Sequence, residues 1–257
     1  TGDGTRHLLW RVTEPAVLSA VRELLADKSL YIADGHHRYE TMLALRDRLL
    51  SDHPETDDRS AARFGMMFLA NLDDPGLVVL PTHRLIHSVP NFDKGRLLES
   101  LQPYFKQRQL VGAGKSASLV RDELAAAGQE ASSFVALFPG DEDATLLTLR
   151  SDAAPGLEGA KENLELDVSL LHGLVIENTL GIDKAAQEAQ TCIEYIKDTQ
   201  QALQRCAQGE GQVCFLMNAT PISQVVSVSD AGGVMPQKST FFYPKIASGL
   251  VFNPIEI

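Results

Sequence analysis

Ser29-Leu30-Tyr31-Ile32-Ala33-Asp34-Gly35-His36-His37-Arg38-Tyr39-Glu40-Thr41 reads as a short strand, a tight turn and the start of a helix. Leu30, Tyr31 and Ile32 are β-formers in an apolar run. Gly35 follows and lets the chain turn sharply without a Cβ clash. From Tyr39 to Leu50 the pattern is helical, with Met42, Leu45 and Leu49 spaced three and four apart. Asp34, His36, His37, Arg38 and Glu40 therefore crowd a strand-to-helix junction. There, backbone N–H groups lack partners and the helix dipole favours an anion. A satisfied polar network with an ordinary helix cap is the plainer reading of the same residues.

Working outward, residues 7–12 read as a strand and Ala16 to Ala26 as a helix with Pro15 at its start. Residues 51–62 are polar and charged, a solvated loop. Phe64–Ala70 and Leu77–Leu80 read as strands of an antiparallel hairpin around Asp74-Pro75-Gly76. The second strand runs into Pro81-Thr82-His83-Arg84, a further cluster of polar groups at a strand end. Residues 91–227 suggest a second α/β lobe. It holds helices at Lys94–Tyr104, Ser116–Ala127, Val168–Leu180 and Thr199–Ala207, the third closed by Gly181. Phe134–Phe138 and Thr145–Leu149 read as paired strands, and Gln212–Met217 with Ser223–Val228 as a second pair. Residues 151–162 read as a loop. Gly112-Ala113-Gly114-Lys115-Ser116 tempts toward a phosphate loop, but the required earlier glycine is Gln109, so it reads as a loop and helix start. The expected division is 1–90, completed by 228–257, and 91–227.

Near the C-terminus, Met235-Pro236-Gln237-Lys238-Ser239-Thr240-Phe241-Phe242-Tyr243-Pro244-Lys245 packs lysines, hydroxyls and aromatics together. Lysine offers a point charge to phosphate and hydroxyls offer hydrogen bonds. The aromatics anchor the segment to the fold rather than leave it as a disordered tail.

The chain of 257 residues is 44% hydrophobic and carries a net charge of −11. It can bury a full core, and its acidity with no basic run argues against a nucleic-acid footprint. No apolar run reaches about 18 residues, so no membrane-spanning helix is expected. The three cysteines, Cys192, Cys206 and Cys214, form no C-x-x-C pair, which suits a reduced, cytoplasmic protein with incidental thiols. The chain opens on Thr1-Gly2-Asp3-Gly4 and enters Arg6–Val12 at once, as if entered partway.

Tyr31–Thr41, Pro81–Arg84 and Met235–Lys245 with Ser248-Gly249-Leu250 together resemble DUF1015, a bacterial and archaeal family long described only as a domain of unknown function. Weaker matches are His7–Trp10 and Leu166–His172. Family members usually carry a further N-terminal segment. The Asp34-Gly35-His36-His37-Arg38 core also resembles the ParB/sulfiredoxin-like superfamily, in which an equivalent turn holds nucleotide phosphates and to which free-serine kinases belong. The resemblance implies an α/β fold of the α+β kind, with a ParB/sulfiredoxin-like mixed-sheet lobe beside the second lobe. Sulfiredoxin chemistry needs a cysteine where His36 and His37 stand, and no helix-turn-helix partner of the ParB kind is present.

The activity implied is phosphoryl transfer to a small hydroxyl substrate, free L-serine giving O-phosphoserine, with ATP, ADP or pyrophosphate as donor and Mg2+ as cofactor. Arg38 would grip phosphate as a fork. His36 and His37 would donate hydrogen bonds or assist proton transfer. Asp34 would hold Mg2+, orient a histidine or accept the hydroxyl proton, and Glu40 would do any of these or cap the helix. Thr82, His83 and Arg84 would line one wall. Lys238, Ser239, Thr240, Lys245 and Ser248 would close over the phosphates, with Gly35 allowing close approach. The three stretches are expected to meet around one phosphate group. Related kinases place a catalytic Glu ahead of the motif, so the general base is left open. Two alternatives stand: a non-catalytic sensor of a nucleotide or phosphometabolite, and a metal-dependent hydrolase using Asp34, His36, His37 and His83.

Overall fold

The computed structural model describes residue 4 and residues 6–153, 166–236 and 238–255. The fold is mixed α/β, and backbone packing divides it into two units, Thr1–Val78 with Phe242–Ile257 and Val79–Phe241. The boundaries thus fall at 78/79 and 241/242, where the sequence suggests 90/91 and 227/228.

The larger unit is built on a six-stranded sheet of order β3-β5-β4-β7-β2-β6. Its strands are β2 (His83–Ile86), β3 (Phe105–Leu110), β4 (Ser133–Leu137), β5 (Ala144–Leu149), β6 (Ile193–Ile196) and β7 (Val213–Met217). Every neighbouring pair is antiparallel. Residues of β4 and β7 are buried on both faces, and so read as unbroken apolar runs rather than alternating ones. Phe134, Ala136, Phe215 and Met217 face one core with α3 (Lys94–Leu101) and the helical stretch Asp167–Thr179. Val135, Leu137, Cys214 and Leu216 face the other, with α4 (Ala117–Gly128) and the helix Thr199–Ala207. The unit is thus a sheet sandwiched between helical layers.

Capping explains where these helices start. Asp93, Ser116 and Asp198 each accept a first-turn N–H with their side chains. The 3-10 turn Ala113–Lys115 leads into α4, the loop and helix start read from the sequence. From Leu171 to Thr179 the helix winds as a π-helix, and Gly181 ends it at φ 72°.

The smaller unit contains α1 (Pro15–Leu25), α2 (His36–Asp52) and a 3-10 turn at Ala61–Arg63. Neither helix has a buried residue. Val17, Leu18, Val21, Phe64, Met66, Met67 and Phe68 are exposed. The short strands β1 (Val78–Leu80) and β8 (Phe241–Tyr243) form a two-stranded sheet of their own.

Several expectations need correction. Residues 7–12, 30–32 and 64–70 are not strands. Apolar β-formers become a strand only when a partner takes their N–H and C=O groups. β1 pairs with β8, so the hairpin expected with residues 64–70 is not formed. Ser223–Val228 lies within a helix, Ile222–Asp230, which starts after Pro221 and buries Val225 and Val228 three residues apart. The loop expected at 151–162 falls mostly on residues 154–165, outside the described residues. No helix is long and apolar enough to cross a membrane among the described residues.

Candidate functional site

In the smaller unit the turn before α2 is built on Gly35, which sits in the left-handed region at φ 82° and caps the helix without a side-chain hydrogen bond. The first-turn N–H groups of His36, His37 and Arg38 thus receive no side-chain cap, the situation that favours an anion at a helix start. A Cβ on Gly35 would stand 2.8 Å from Arg38 Nη2 and 2.9 Å from Nε. The guanidinium therefore lies folded against the glycine. Arg38 Nη2 donates to Asp34 Oδ2 at 3.2 Å, and Lys245 Nζ lies 3.2 Å from Asp34 Oδ1. One carboxylate thus gathers two cations from distant parts of the chain.

Each Asp34 oxygen faces one of these cations. His37 Nδ1 is 3.3 Å from Glu40 Oε2, and Thr41 Oγ1 donates to the His37 carbonyl. Both imidazoles of the turn are exposed, as is Ser248. Ion pairs this exposed are worth roughly 0–1 kcal/mol in stability, so holding the fold does not account for the cluster.

In the larger unit Thr82, His83 and Arg84 are buried at the head of β2. Alternation sends His83 and Arg84 to opposite faces of the sheet. Met217 N–H donates to His83 Nδ1 at 3.1 Å. The proton then sits on Nε2 and reaches Thr199 Oγ1 at 3.0 Å. Arg84 Nε donates to His172 Nε2 at 3.1 Å, which leaves the His172 proton on Nδ1, 2.7 Å from Gln187 Oε1. Arg84 Nη1 donates to the Thr82 carbonyl and to Met217 Sδ, and Nη2 to the Lys238 carbonyl at 3.1 Å. The Tyr195 ring lies 5.5 Å from the guanidinium carbon and stacks on His172.

Burial, and then the Arg84 charge, push His83 and His172 down to about 4. Burial lowers Arg84 to about 10, with Tyr195 acting against it. Both histidines are therefore neutral near pH 7, with opposite tautomers fixed by their partners.

The C-terminal motif divides between the units. Lys238 and Ser239 lie in a turn of the larger one, Lys238 exposed at φ 59° and Ser239 buried. Ser239 Oγ donates to the Pro236 carbonyl, so this hydroxyl is engaged inside the turn. Thr240 is half-buried beside it. Gln187, Tyr195, Thr199 and Thr220 carry no signal in the sequence. Each acquires its role only through tertiary contact, and only His172 falls within a weakly matching motif. Among the described residues, no three His, Cys, Asp or Glu side chains converge to hold a metal ion.

No curated protein matches the sequence. Among solved structures, a free serine kinase in complex with AMP shares 17% identity over 96% of this chain and 85% of that one, with a TM-score of 0.42. A mutant free serine kinase in complex with ADP shares 14% over 96% and 85%, with a TM-score of 0.41. A conserved hypothetical protein from Pyrococcus furiosus shares 12% over 90% and 84%, with a TM-score of 0.43. A family profile, DUF1015, described as a protein of unknown function, matches residues 1–169. With a match over that much of its length, the chain belongs to the DUF1015 family.

Proposed function

We propose that the protein is a small-molecule kinase that transfers a phosphoryl group to the hydroxyl of free L-serine, giving O-phosphoserine, with a nucleotide or pyrophosphate as donor. The observation that carries this reading is the glycine-capped start of α2, where Arg38 and Lys245 converge on Asp34. Phosphoryl transfer asks a protein mainly for positioning and for positive charge at the phosphate oxygens. The N–H groups of the first turn and the Arg38 fork supply both, and Lys245 adds a second charge. Asp34 holds the two cations apart and preset, and its contacts yield to a phosphate that takes its place between them.

In the reaction the serine hydroxyl oxygen attacks the terminal phosphorus, and the bond to the remaining phosphate or nucleotide breaks. The hydroxyl proton passes to a base, a role for which this turn offers Asp34, His36 and His37. Mg2+, when bound with the donor phosphates, would screen their charge, and Asp34 is the carboxylate of this turn that could hold it once its cation contacts yield. The described thiols are free, which suits a reducing compartment such as the cytoplasm.

The test is phosphoserine formation from L-serine with ATP, ADP or pyrophosphate in turn. Turnover is expected with one donor, and Arg38→Ala should reduce it by at least about a hundredfold, as for loss of one preset charged donor. No turnover with any donor, or an Arg38→Ala variant of full activity, overturns the reading. Tight donor binding without turnover assigns the same residues to a sensor of phosphometabolites.

A further inference from the structure

The first turn of α3 carries two opposite charges that do not meet. Asp93 caps the helix, its Oδ1 accepting from the Arg96 N–H at 2.7 Å. Its second oxygen has no partner among the described residues, and neither has the Arg96 guanidinium. Lys94, between them, is already engaged: its ammonium pairs with Asp141 and lies 4.8 Å from the centre of the Phe138 ring. Opposite charges three residues apart on a helix are close enough to pair. These two instead line one cleft.

The cleft belongs wholly to the larger unit and has a volume of about 180 Å³. That is room for a molecule the size of a single amino acid, below the roughly 300–1,000 Å³ of drug-sized pockets. Val89, Phe92, Leu97 and Leu180 give it an apolar floor, and Asn91, Asp93, Arg96 and Thr179 a polar rim. The floor is held firmly. The Gln212 amide grips both backbone groups of Val89, accepting from its N–H at 2.7 Å and donating to its carbonyl at 3.0 Å. Phe92 rests on Phe138, with ring centres 6.4 Å apart. On the rim, Thr179 Oγ1 gives its proton to the Leu174 carbonyl at 2.8 Å, so toward the cleft it acts as an acceptor. Two helix ends of opposite sign reinforce these side chains, because the cleft takes in the start of α3 and the last turn of the π-helix Leu171–Thr179.

An anion alone would meet Asp93, and a cation alone would meet Arg96. A ligand with both charges a few bonds apart satisfies the pair. We propose that this cleft binds a free α-amino acid with an apolar side chain, its carboxylate on Arg96, its ammonium on Asp93 and its side chain on the floor of Val89 and Leu97. Arg96 takes the carboxylate as a fork, and Thr179 Oγ1 adds an acceptor for the ammonium. Asp93 and Arg96 are both exposed, so the affinity is modest, with a Kd on the order of 1 mM. The site uses no residue of the smaller unit and stands apart from the phosphotransferase reading.

The test is an NMR titration of the full chain, following backbone amide shifts as L-leucine is added. L-leucine should move residues 91–97 and 179–180 in a saturable way and leave 35–41 unmoved. Isocaproate lacks the ammonium and isoamylamine lacks the carboxylate. Each should bind about tenfold more weakly, as for loss of one charged hydrogen-bond partner. L-serine, without the branched chain, should also bind the cleft about tenfold more weakly. Two variants assign the charges. Arg96→Met should bring L-leucine down to the affinity of isoamylamine, and Asp93→Asn down to that of isocaproate. Asparagine caps a helix as well as aspartate does, so the second variant keeps α3 intact.

Absence of a saturable shift at 91–97 up to roughly 50 mM L-leucine overturns the proposal. Equal binding of L-leucine and either analogue overturns it too, as does an Arg96→Met variant that still prefers L-leucine to isoamylamine. L-serine binding as well as L-leucine would remove the apolar class of ligand. Shifts confined to 35–41 would move the amino acid to the helix start of the smaller unit, which overturns this site and leaves the serine reading standing.

Discussion

At the scale of single residues, Gly35 satisfies two constraints at one atom. Its φ of 82° lies where a Cβ costs roughly 1–2 kcal/mol. The space a Cβ would fill is already taken by the Arg38 guanidinium. Gly112 shares the first constraint, at φ 72°, but nothing lies within 4 Å of its missing Cβ. The two glycines thus form a natural control. Gly35→Ala should displace Arg38 from Asp34 and weaken donor binding by about tenfold or more, on the scale of a charge-assisted hydrogen bond. Gly112→Ala should cost stability alone. Calorimetric titration with the preferred donor, beside thermal melts of both variants, checks this. Equal affinity in Gly35→Ala and wild type would show that the guanidinium's place over the glycine is immaterial.

At the scale of elements, β2 works because each polar side chain at its head finds a buried partner on its own face. His83 depends on Thr199, the first residue of the helix Thr199–Ala207. Thr199→Val keeps the shape, removes the acceptor and leaves a buried N–H unsatisfied, which should cost about 1–3 kcal/mol. Urea unfolding should show a lower midpoint with an unchanged slope. A midpoint equal to that of wild type would mean that the imidazole does not need this hydroxyl.

Which elements are legible in the sequence follows the same physics. Phe134–Phe138 and Val213–Met217 stand out because strands covered on both faces are apolar throughout. β3 and β6 do not stand out, and they are the two edges of the sheet. An edge strand such as Phe105-Lys106-Gln107-Arg108-Gln109-Leu110 carries charge that blunts pairing, and so loses the apolar signature. Ser223–Val228 mimics a strand because six residues are too few to separate a period of 2 from one of 3.6. The Asp34–Arg38 turn and the lysine-bearing stretch Met235–Lys245 are readable because their polar groups exceed what a turn needs. The partners of Arg84 are not, because His172, Tyr195 and Met217 meet it only through the sheet and the π-helical layer.

At the scale of the whole molecule, the two histidines that burial pushes down both lie in the larger unit, so its response to acid should be its own. His83 and His172 bind protons at about 4 when folded and at about 6.5 when unfolded. Between those values the unfolded chain holds more protons than the native one, and stability therefore rises with pH across that window. The contribution is complete above pH ~6.5 and is lost as pH falls through ~4. Each histidine then accounts for up to about 3 kcal/mol, because every tenfold change in proton affinity is worth about 1.4 kcal/mol. Asp167, whose carboxyl burial pushes upward, opposes this, since its burial favours the protonated form and its cost grows as pH rises above the usual carboxylate range. The histidines titrate above that range for most of the window, so they set the slope from pH ~6.5 to ~5. Denaturant unfolding followed in that interval should show stability falling steadily with acid. His172→Gln keeps an acceptor for Arg84 but cannot be protonated, and should remove about half of the slope while leaving stability at pH 7 within a kcal/mol or so. A slope unchanged in that variant would mean that burial and the Arg84 charge do not hold His172 neutral, and that acid enters the fold elsewhere.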